Sequence, residues 1–384
     1  MKIEKLGKYI SEISIRNKFI SVTNVFSVTN SQGFVKSTDY FNKEVFSKDI
    51  SNYKIVSENQ FAYNPSRINV GSIDYLKNQT KVIISPLYVV FKCDEDLNEE
   101  YLKVYLKSPV GISRIKGKTK GAVRDSVSFG SLCEIKIPIP SITSQIQIAT
   151  LLSKAEKLIE QRKQCISLLT EFLKSTFLEM FGDAKQNKKG FPICTIEQVS
   201  SEIKDGPHVS PKYSEMGIPI FSSRNIKPGE LIMDEIKYVS EEMYMDLTKR
   251  FRPKINDVLI TKGGTTGYAK VVDFDFPFCI WVHIAAIRPT QKIIPLYLEY
   301  FINSDYGYYQ TQKYTKGAAN RDLGLKKIAK IELPLPPIEL QCQFAEIAEN
   351  TIALKALYQS SLHELENLYG SLSQKAFNGK LELR

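Results

Sequence analysis

Histidine is scarce in this 384-residue chain: only His208, His283 and His363 occur, and none has a second histidine at metal-ligand spacing. The six cysteines, at 93, 133, 165, 194, 279 and 342, are too dispersed for a metal knuckle or a redox pair. Long apolar runs are missing as well. The longest, Val82 to Phe91, is broken by Ser85 and Pro86, whereas a bilayer-spanning helix needs roughly 20 apolar residues. The opening MKIEKLGKYI lacks the apolar core of a secretion signal. These absences predict a soluble, cytoplasmic chain in a reduced compartment, without metal or membrane. Catalytic signatures are also lacking. There is no Gly-x-Ser-x-Gly elbow. Five residues separate Gly111 from Gly117, where a phosphate loop needs four, so this stretch reads as a basic surface turn. Lys262-Gly263-Gly264-Thr265-Thr266-Gly267 lacks dinucleotide-site spacing and reads as a tight turn that brings backbone near something. Asn64-Pro65-Ser66-Arg67 is not the Asn-Pro-Pro-Tyr box of an amino-methyltransferase.

What is present is size, basic charge and a repeat. The length suggests two to three domains. The net charge of +10 is uneven. Residues 1–140 carry 21 basic and 14 acidic side chains, and residues 181–336 carry 22 and 18. Residues 141–180 are close to neutral, at +1, and residues 337–384 net −2. Two basic blocks suit a polyanion such as nucleic acid, although surface lysine alone gives the same count.

The repeat has an offset of 196 residues. Residues 120–149 read KGAVRDSVSFGSLCEIKIPIPSITSQIQIA, and residues 316–345 read KGAANRDLGLKKIAKIELPLPPIELQCQFA. About a third of the positions are identical without a gap, including Gln145 with Gln341 and Gln147 with Gln343. Ile135-Lys136-Ile137 alternates like a strand, which Pro138 and Pro140 are expected to stop. A long helical pattern follows in each copy. The expected seam runs Ile148, Leu151, Ala155, Leu158, Cys165, Leu169, Phe172 and Thr176, with Arg162 filling one position. In the second copy it runs Phe344, Ile347, Thr351, Leu354, Tyr358, Ser361, Leu365, Leu368 and Leu372. The spacing alternates three and four, as in a coiled coil. Helices over 144–180 and 340–377 would each be roughly 55 Å long. Gly182 and Asn378 suit left-handed caps.

Each helix follows a globular block. The blocks echo each other faintly: Asn59–Asn64 lies one residue off register from Asn256–Thr261, and Gly71 stands 196 before Gly267. The predicted architecture is block, helix, block, helix. If the helices pair antiparallel, the result is a spacer with a different head at each end.

This arrangement resembles the specificity subunit of type I restriction-modification systems. The resemblance covers essentially the whole chain. It rests on the twice-repeated Lys-Gly … Pro-x-Pro … Gln-x-Gln-x-Ala stretch before each helix. It rests also on Ser27-Val28-Thr29, Ser51-Asn52-Tyr53-Lys54 and Phe61 to Gly71 in the first block. In the second block it rests on Gly217-Ile218-Pro219-Ile220, Asn225-Ile226, Asp257-Val258-Leu259-Ile260 and Gly264 to Gly267. Two departures are the short leader before residue 20 and Thr143-Ser144, which replaces the acidic residue found at Glu339. The resemblance implies two α/β (α+β) target-recognition domains joined by an antiparallel coiled coil with an internal pseudo-twofold repeat. The expected boundaries are 1–140 and 185–336 for the recognition domains, and 141–184 and 337–384 for the spacer helices. It implies a non-catalytic subunit that binds no cofactor. Each domain would read one half of an asymmetric, bipartite double-stranded DNA target, and the helices would act as a ruler for the gap. A spacer of roughly 55 Å exceeds one turn of B-DNA, about 34 Å. The implied partners are two modification subunits that use S-adenosylmethionine and two restriction subunits that use ATP and Mg. A coiled-coil scaffold without DNA specificity and a self-contained DNA-modifying enzyme are the rival readings.

Base readout needs polar side chains that reach the major groove. The expected readers are Thr29, Asn30, Tyr63, Asn64, Arg67 and Asn69 in the first block. In the second they are Lys204, His208, Lys212, Arg224, Asn225, Lys262, Thr265 and Thr266. Asn64 and Asn69 also suit turns. Arg114, Lys116, Lys118, Lys120 and Arg124, with Lys313, Lys316 and Arg321 in the second block, are the expected phosphate contacts.

Overall fold

The computed structural model describes residues 2–40, 46–118, 126–317 and 321–381. The chain forms two compact units: residues 1–164 with 358–384, and residues 165–357. Each contains one globular block and part of each long helix.

In the first unit, a four-stranded antiparallel sheet runs in the order Ile10–Ile13, Val89–Cys93, Phe61–Tyr63, Ile73–Tyr75. Alternation along its strands sorts side chains to two faces. Phe61, Tyr63 and Phe91 pack under helices Glu99–Lys107 and Pro109–Lys116, against Tyr101 and Tyr105. Ala62 and Val90 point the other way and pack with Val28, Val56 and Val82. That opposite layer holds the hairpin Phe26–Thr29/Gly33–Lys36 and the pair Lys54–Ser57/Lys81–Ile84.

The second unit repeats the central sheet: Ser200–Asp205, Ile284–Pro289, Val258–Thr261, Ala269–Val271, again antiparallel. Helices Pro295–Asn303 and Asp305–Tyr314 cover the same face. Their starts lie 196 residues after those of Glu99–Lys107 and Pro109–Lys116. The blocks echo each other only faintly in sequence, yet the topology of the central sheet is shared. Divergence is concentrated in the other layer, where the second unit has a mixed sheet of Lys237–Val239, Ile218–Phe221 and Cys279–Ile280.

The repeated sequence acquires a physical role. Gln145 and Gln341 are fully buried at the start of the long helices. Gln145 Oε1 accepts from the Asn98 N–H at 2.9 Å, and its Nε2 donates to the Asp96 and Pro140 carbonyls at 2.9 and 3.1 Å. Gln341 makes the same three bonds to Ile294, Lys292 and Pro336. The Tyr101 hydroxyl donates to the Pro138 carbonyl, and Tyr297 to that of Pro334. The expected strand stop at Pro138 is not where the strand ends. Strand Lys136–Ile139 passes through Pro138 and pairs with Lys2–Lys5. A two-stranded sheet leaves one edge of each strand unpaired, so a residue without an N–H is tolerated there.

The long helices span Ile142–Phe181 and Ile338–Phe377, 40 residues each. Inside the first unit they run antiparallel. The Tyr369 hydroxyl meets Glu156 at 2.6 Å, and Arg162 lies over the Tyr358 ring at 4.2 Å. Inside the second unit, Phe177 and Phe181 pack their rings on Phe344. The observed seam differs from the expected one by a residue at alternate positions. Leu152, Leu173 and Phe177 are buried rather than Leu151, Phe172 and Thr176, and Ala348 rather than Ile347. Between Ala155 and Leu173 no residue is fully buried. Two helices alone cover each other only partly, so composition could not fix the register there. Gly182 does adopt the left-handed conformation, at φ 74°. At the other end Gly379, not Asn378, takes that role, at φ 70°.

Candidate nucleic-acid interface

Tyr63, Asn64, Arg67 and Asn69 fall on or beside one connector in the first unit, and Lys262, Thr265 and Thr266 on its counterpart in the second; the other expected readers lie on other strands and loops. In the first unit residues 64–72 join strands Phe61–Tyr63 and Ile73–Tyr75; in the second, residues 262–268 join Val258–Thr261 and Ala269–Val271. These are the same two strands of the shared sheet. Both connectors turn on a left-handed glycine, Gly71 at φ 88° and Gly267 at φ 92°. Gly267 has no room for a side chain, since a Cβ would lie 2.1 Å from Thr311 Oγ1.

The expected phosphate contacts begin within helices Pro109–Lys116 and Asp305–Tyr314, and backbone beyond each helix bonds to the connector. The Val127 N–H donates to the Pro65 carbonyl at 3.0 Å. The Leu323 N–H, 196 residues later, donates to the Lys262 carbonyl at 2.7 Å, and the Gly264 N–H to the Arg321 carbonyl at 3.0 Å. In the second unit the connector thus meets the basic stretch at Arg321, and in the first it meets the chain at Val127.

Individual residues divide into those that reach solvent and those the fold consumes. In the first unit Asn30 is exposed at the hairpin tip, and Arg67 is exposed on the connector. Asn64 and Asn69 are half-buried, and Asn64 Oδ1 accepts from the Ser66 N–H at 3.0 Å, closing a turn. The Thr29 hydroxyl is occupied by the hairpin, donating to Gly33 and accepting from Gln32. Tyr63 does not fit the reader role. It is fully buried, its hydroxyl donates to the Val127 carbonyl at 3.1 Å, and burial pushes its pKa upward. In sequence Phe61-Ala62-Tyr63 is apolar throughout, so the pattern marks no outward face.

In the second unit His208, Lys212, Arg224 and Thr265 are exposed, and Lys204 is half-buried. Asn225, Lys262 and Thr266 are consumed by the fold. Asn225 is 6% exposed and accepts from the Ser222 N–H while donating to the Ile232 carbonyl. Thr266 is 1% exposed, and its hydroxyl accepts from Thr315 at 3.1 Å. Lys262, 6% exposed, sits between Asp205 at 3.5 Å and Asp322 at 3.3 Å. His208 lies 3.4 Å from the same Asp205 carboxylate. Lys262 thus locks the connector to the basic stretch rather than projecting from it.

Among the expected phosphate contacts, Lys116 and Lys118 are exposed at the end of helix Pro109–Lys116, and Lys313 and Lys316 are exposed in the second unit. Arg114 is turned inward, donating to the Tyr105 hydroxyl at 2.7 Å and to the Lys136 carbonyl. Arg321 donates to Gln312 Oε1. Lys120 and Arg124 lie outside the described residues. Sequence reasoning missed Asp205, Asp322 and Gln312, whose amide donates to the Thr266 carbonyl at 2.9 Å. Only the fold brings these partners together. Among the described residues no group of three metal-ligating side chains converges, and no helix is long and apolar enough to cross a membrane.

A duplicated scaffold presenting two different connectors is the build of a two-headed recognition protein. The chain belongs to the family described as type I restriction modification DNA specificity domain, which matches it twice, over residues 6–170 and 182–367. It is therefore a sequence-specificity subunit with two target-recognition domains, a class that is non-catalytic and holds no cofactor of its own. Two relatives are similar along nearly their whole length. The type I restriction enzyme EcoBI specificity subunit of Escherichia coli is 23% identical, over 94% of this chain and 85% of that one. The MjaVIII specificity subunit of Methanocaldococcus jannaschii is also 23% identical, over 91% and 86%. In fold the chain is similar to the crystal structure of the type I restriction-modification S subunit from M. genitalium, with TM-score 0.62, 14% identity, and 100% and 96% of the two chains covered.

Proposed function

We propose that each unit reads one half of an asymmetric, bipartite double-stranded DNA target through its connector, its other polar loops and its basic stretch. The observation that carries this reading is the matched pair of hydrogen bonds, Val127 to Pro65 and Leu323 to Lys262. One interface is built twice on the same strands and furnished with different side chains. Asn30, Asn64, Arg67 and Asn69 are the base-readout set of the first unit, and Lys204, His208, Lys212, Arg224 and Thr265 that of the second. Lys116, Lys118, Lys313 and Lys316 meet phosphate, together with Lys120 and Arg124. Thr29, Asn225, Lys262, Thr266, Arg114 and Arg321 position these groups.

The working boundaries are 1–140 and 185–336 for the recognition domains, and 141–184 and 337–384 for the spacer. The paired helices set the gap between half-sites, so a change in their length changes the gap. Two modification subunits, carrying S-adenosylmethionine, dock on the repeated surfaces around the helix starts, where Lys154 and Lys157 are exposed, and on the second helix near Lys355. Two restriction subunits, using ATP and Mg, complete a cytoplasmic complex. Duplicated surfaces suit two copies of one partner.

The test is co-expression with the cognate modification subunit and single-molecule mapping of methylated adenines. One asymmetric bipartite motif with a fixed gap is the expected result. An assembled, cofactor-loaded complex that adds no methylation would favour a scaffold without DNA specificity.

A further inference from the structure

The loop over residues 17–22 of the first unit is tightly built around an exposed apolar tip. Asn17, 1% exposed, donates through its amide to the Val22 carbonyl at 2.7 Å and accepts from the Val22 N–H at 3.2 Å. The Ile20 N–H returns to the Asn17 carbonyl at 2.9 Å, and the Asn17 N–H anchors the loop on the Tyr53 carbonyl at 2.9 Å. At the tip, Phe19 is 95% exposed. Ile20 beside it has φ 49°, a conformation that β-branched residues rarely adopt. Backbone strain of this kind persists only where the surroundings enforce it. An exposed Phe also forgoes the stabilisation that burying its ring would bring. The fold thus spends hydrogen bonds on holding an aromatic ring in solvent.

The surroundings identify the partner. From Ile13 to Thr38 the chain contains Arg16, Lys18 and Lys36 and no acidic residue. Lys18 is exposed next to Phe19, and Arg16 forms an isolated bridge with Lys54. A single ring on a basic loop offers far less than the roughly 800 Å² per partner of a stable protein interface. It does have the form of an apolar wedge that enters a base step while cations hold the flanking phosphates. Residues 23–25 and strand Phe26–Thr29 lead from this loop to the hairpin tip at Asn30, and the Ser72 hydroxyl at the end of the connector donates to the Val28 carbonyl at 2.7 Å.

We propose that Phe19 is such a wedge. It inserts between stacked base pairs at the edge of the half-site read by the first unit, with Lys18 on the adjoining phosphate. The proposal rests on the DNA-reading role given above. The experiment uses the full chain assembled with its modification subunits and duplexes carrying its mapped target. 2-Aminopurine is scanned through that half-site at positions other than the methylated adenine. One position is expected to brighten severalfold when the wild-type complex binds. Phe19→Ala abolishes the brightening and weakens binding about tenfold, the scale of one lost stacking contact. Phe19→Leu retains most of both, and Lys18→Ala lowers the salt slope by about one. A Phe19→Ala complex that binds and brightens like the wild type overturns the wedge alone. Loss of modification-subunit binding in that variant, with an unchanged DNA response per assembled complex, also overturns it and makes the loop a protein contact. A wild-type complex with no sequence-specific DNA binding overturns the underlying reading together with the wedge.

Discussion

Helices Glu99–Lys107 and Pro295–Asn303 hold the same place in the two units, yet their inward charges are opposite. Lys103, 15% exposed, pairs with Glu100 at 2.6 Å. Glu100 also accepts from Lys77, Ser153 and Tyr75. Burial opposes its ionisation, but the hydrogen bonds from Lys103, Lys77 and Ser153 prevail and hold its pKa down to about 2. The residue 196 positions after Lys103 is Glu299, 2% exposed, which accepts from the Val271 N–H. There burial dominates over the attraction of Lys270, and the pKa is pushed up to about 7. The units therefore share a frame without sharing an interior. The frame is held by bonds to backbone, such as those of Gln145 and Gln341. Interior charge and connector side chains can change while that frame persists, and such freedom suits the proposed reading of two different half-sites.

The comparison can be broken most forcefully at the shared frame. Gln145→Leu and Gln341→Leu each strand buried backbone groups that their amides satisfy. Each should cost its own unit about 2–4 kcal/mol, read by hydrogen exchange of that unit's sheet. A loss confined to one of the two would break the equivalence. Next in size is the pH response. Glu299 has a folded pKa above its unfolded value, so its unit loses stability as pH rises from about 4.5 through 7. Glu299→Gln should stabilise the second unit by up to about 3 kcal/mol at pH 8 and leave it unchanged at pH 4. The Glu100 pKa is depressed, so the first unit loses stability as pH falls from about 4.5 towards 2, and Glu100→Gln should remove that loss. Thermal melts across pH, followed unit by unit, check both signs. Smaller and more local are the readers: Arg67→Ala should cost about 1–3 kcal/mol of DNA affinity and relax one half-site only. Smallest are the phosphate contacts. Lys118→Ala and Lys313→Ala should each reduce the salt slope by about one without altering the recognised sequence.

Much of the fold was legible because its scaffold is repeated in sequence. The 196-residue offset, the helix extents and the Gly71/Gly267 pair can all be read from the chain. The four-stranded sheets could not be matched in the same way. Their strands are only a few residues long, and many apolar residues satisfy the same buried positions. The candidate site was legible as segments, not as side chains. Residues 64–72 and 262–268 were marked by their turn chemistry. That Lys262 would be held by Asp205 and Asp322, or that Arg114 would turn to Tyr105, depends on partners brought in by other strands and helices. The helix seam slipped by one residue for a related reason. Adjacent apolar pairs such as Leu151-Leu152 and Phe172-Leu173 serve either register until the heads decide.

The central claim is that each connector, with its basic stretch, reads its own half of the target. The most direct measurement is the map of methylated adenines made by complexes carrying Arg67→Ala or Thr265→Ala, beside the wild type. The account predicts that the first relaxes sequence in one half of the motif, the second in the other, with the gap unchanged in both. Relaxation of the same half by both variants, or a uniform loss of methylation with full specificity in each, would contradict it.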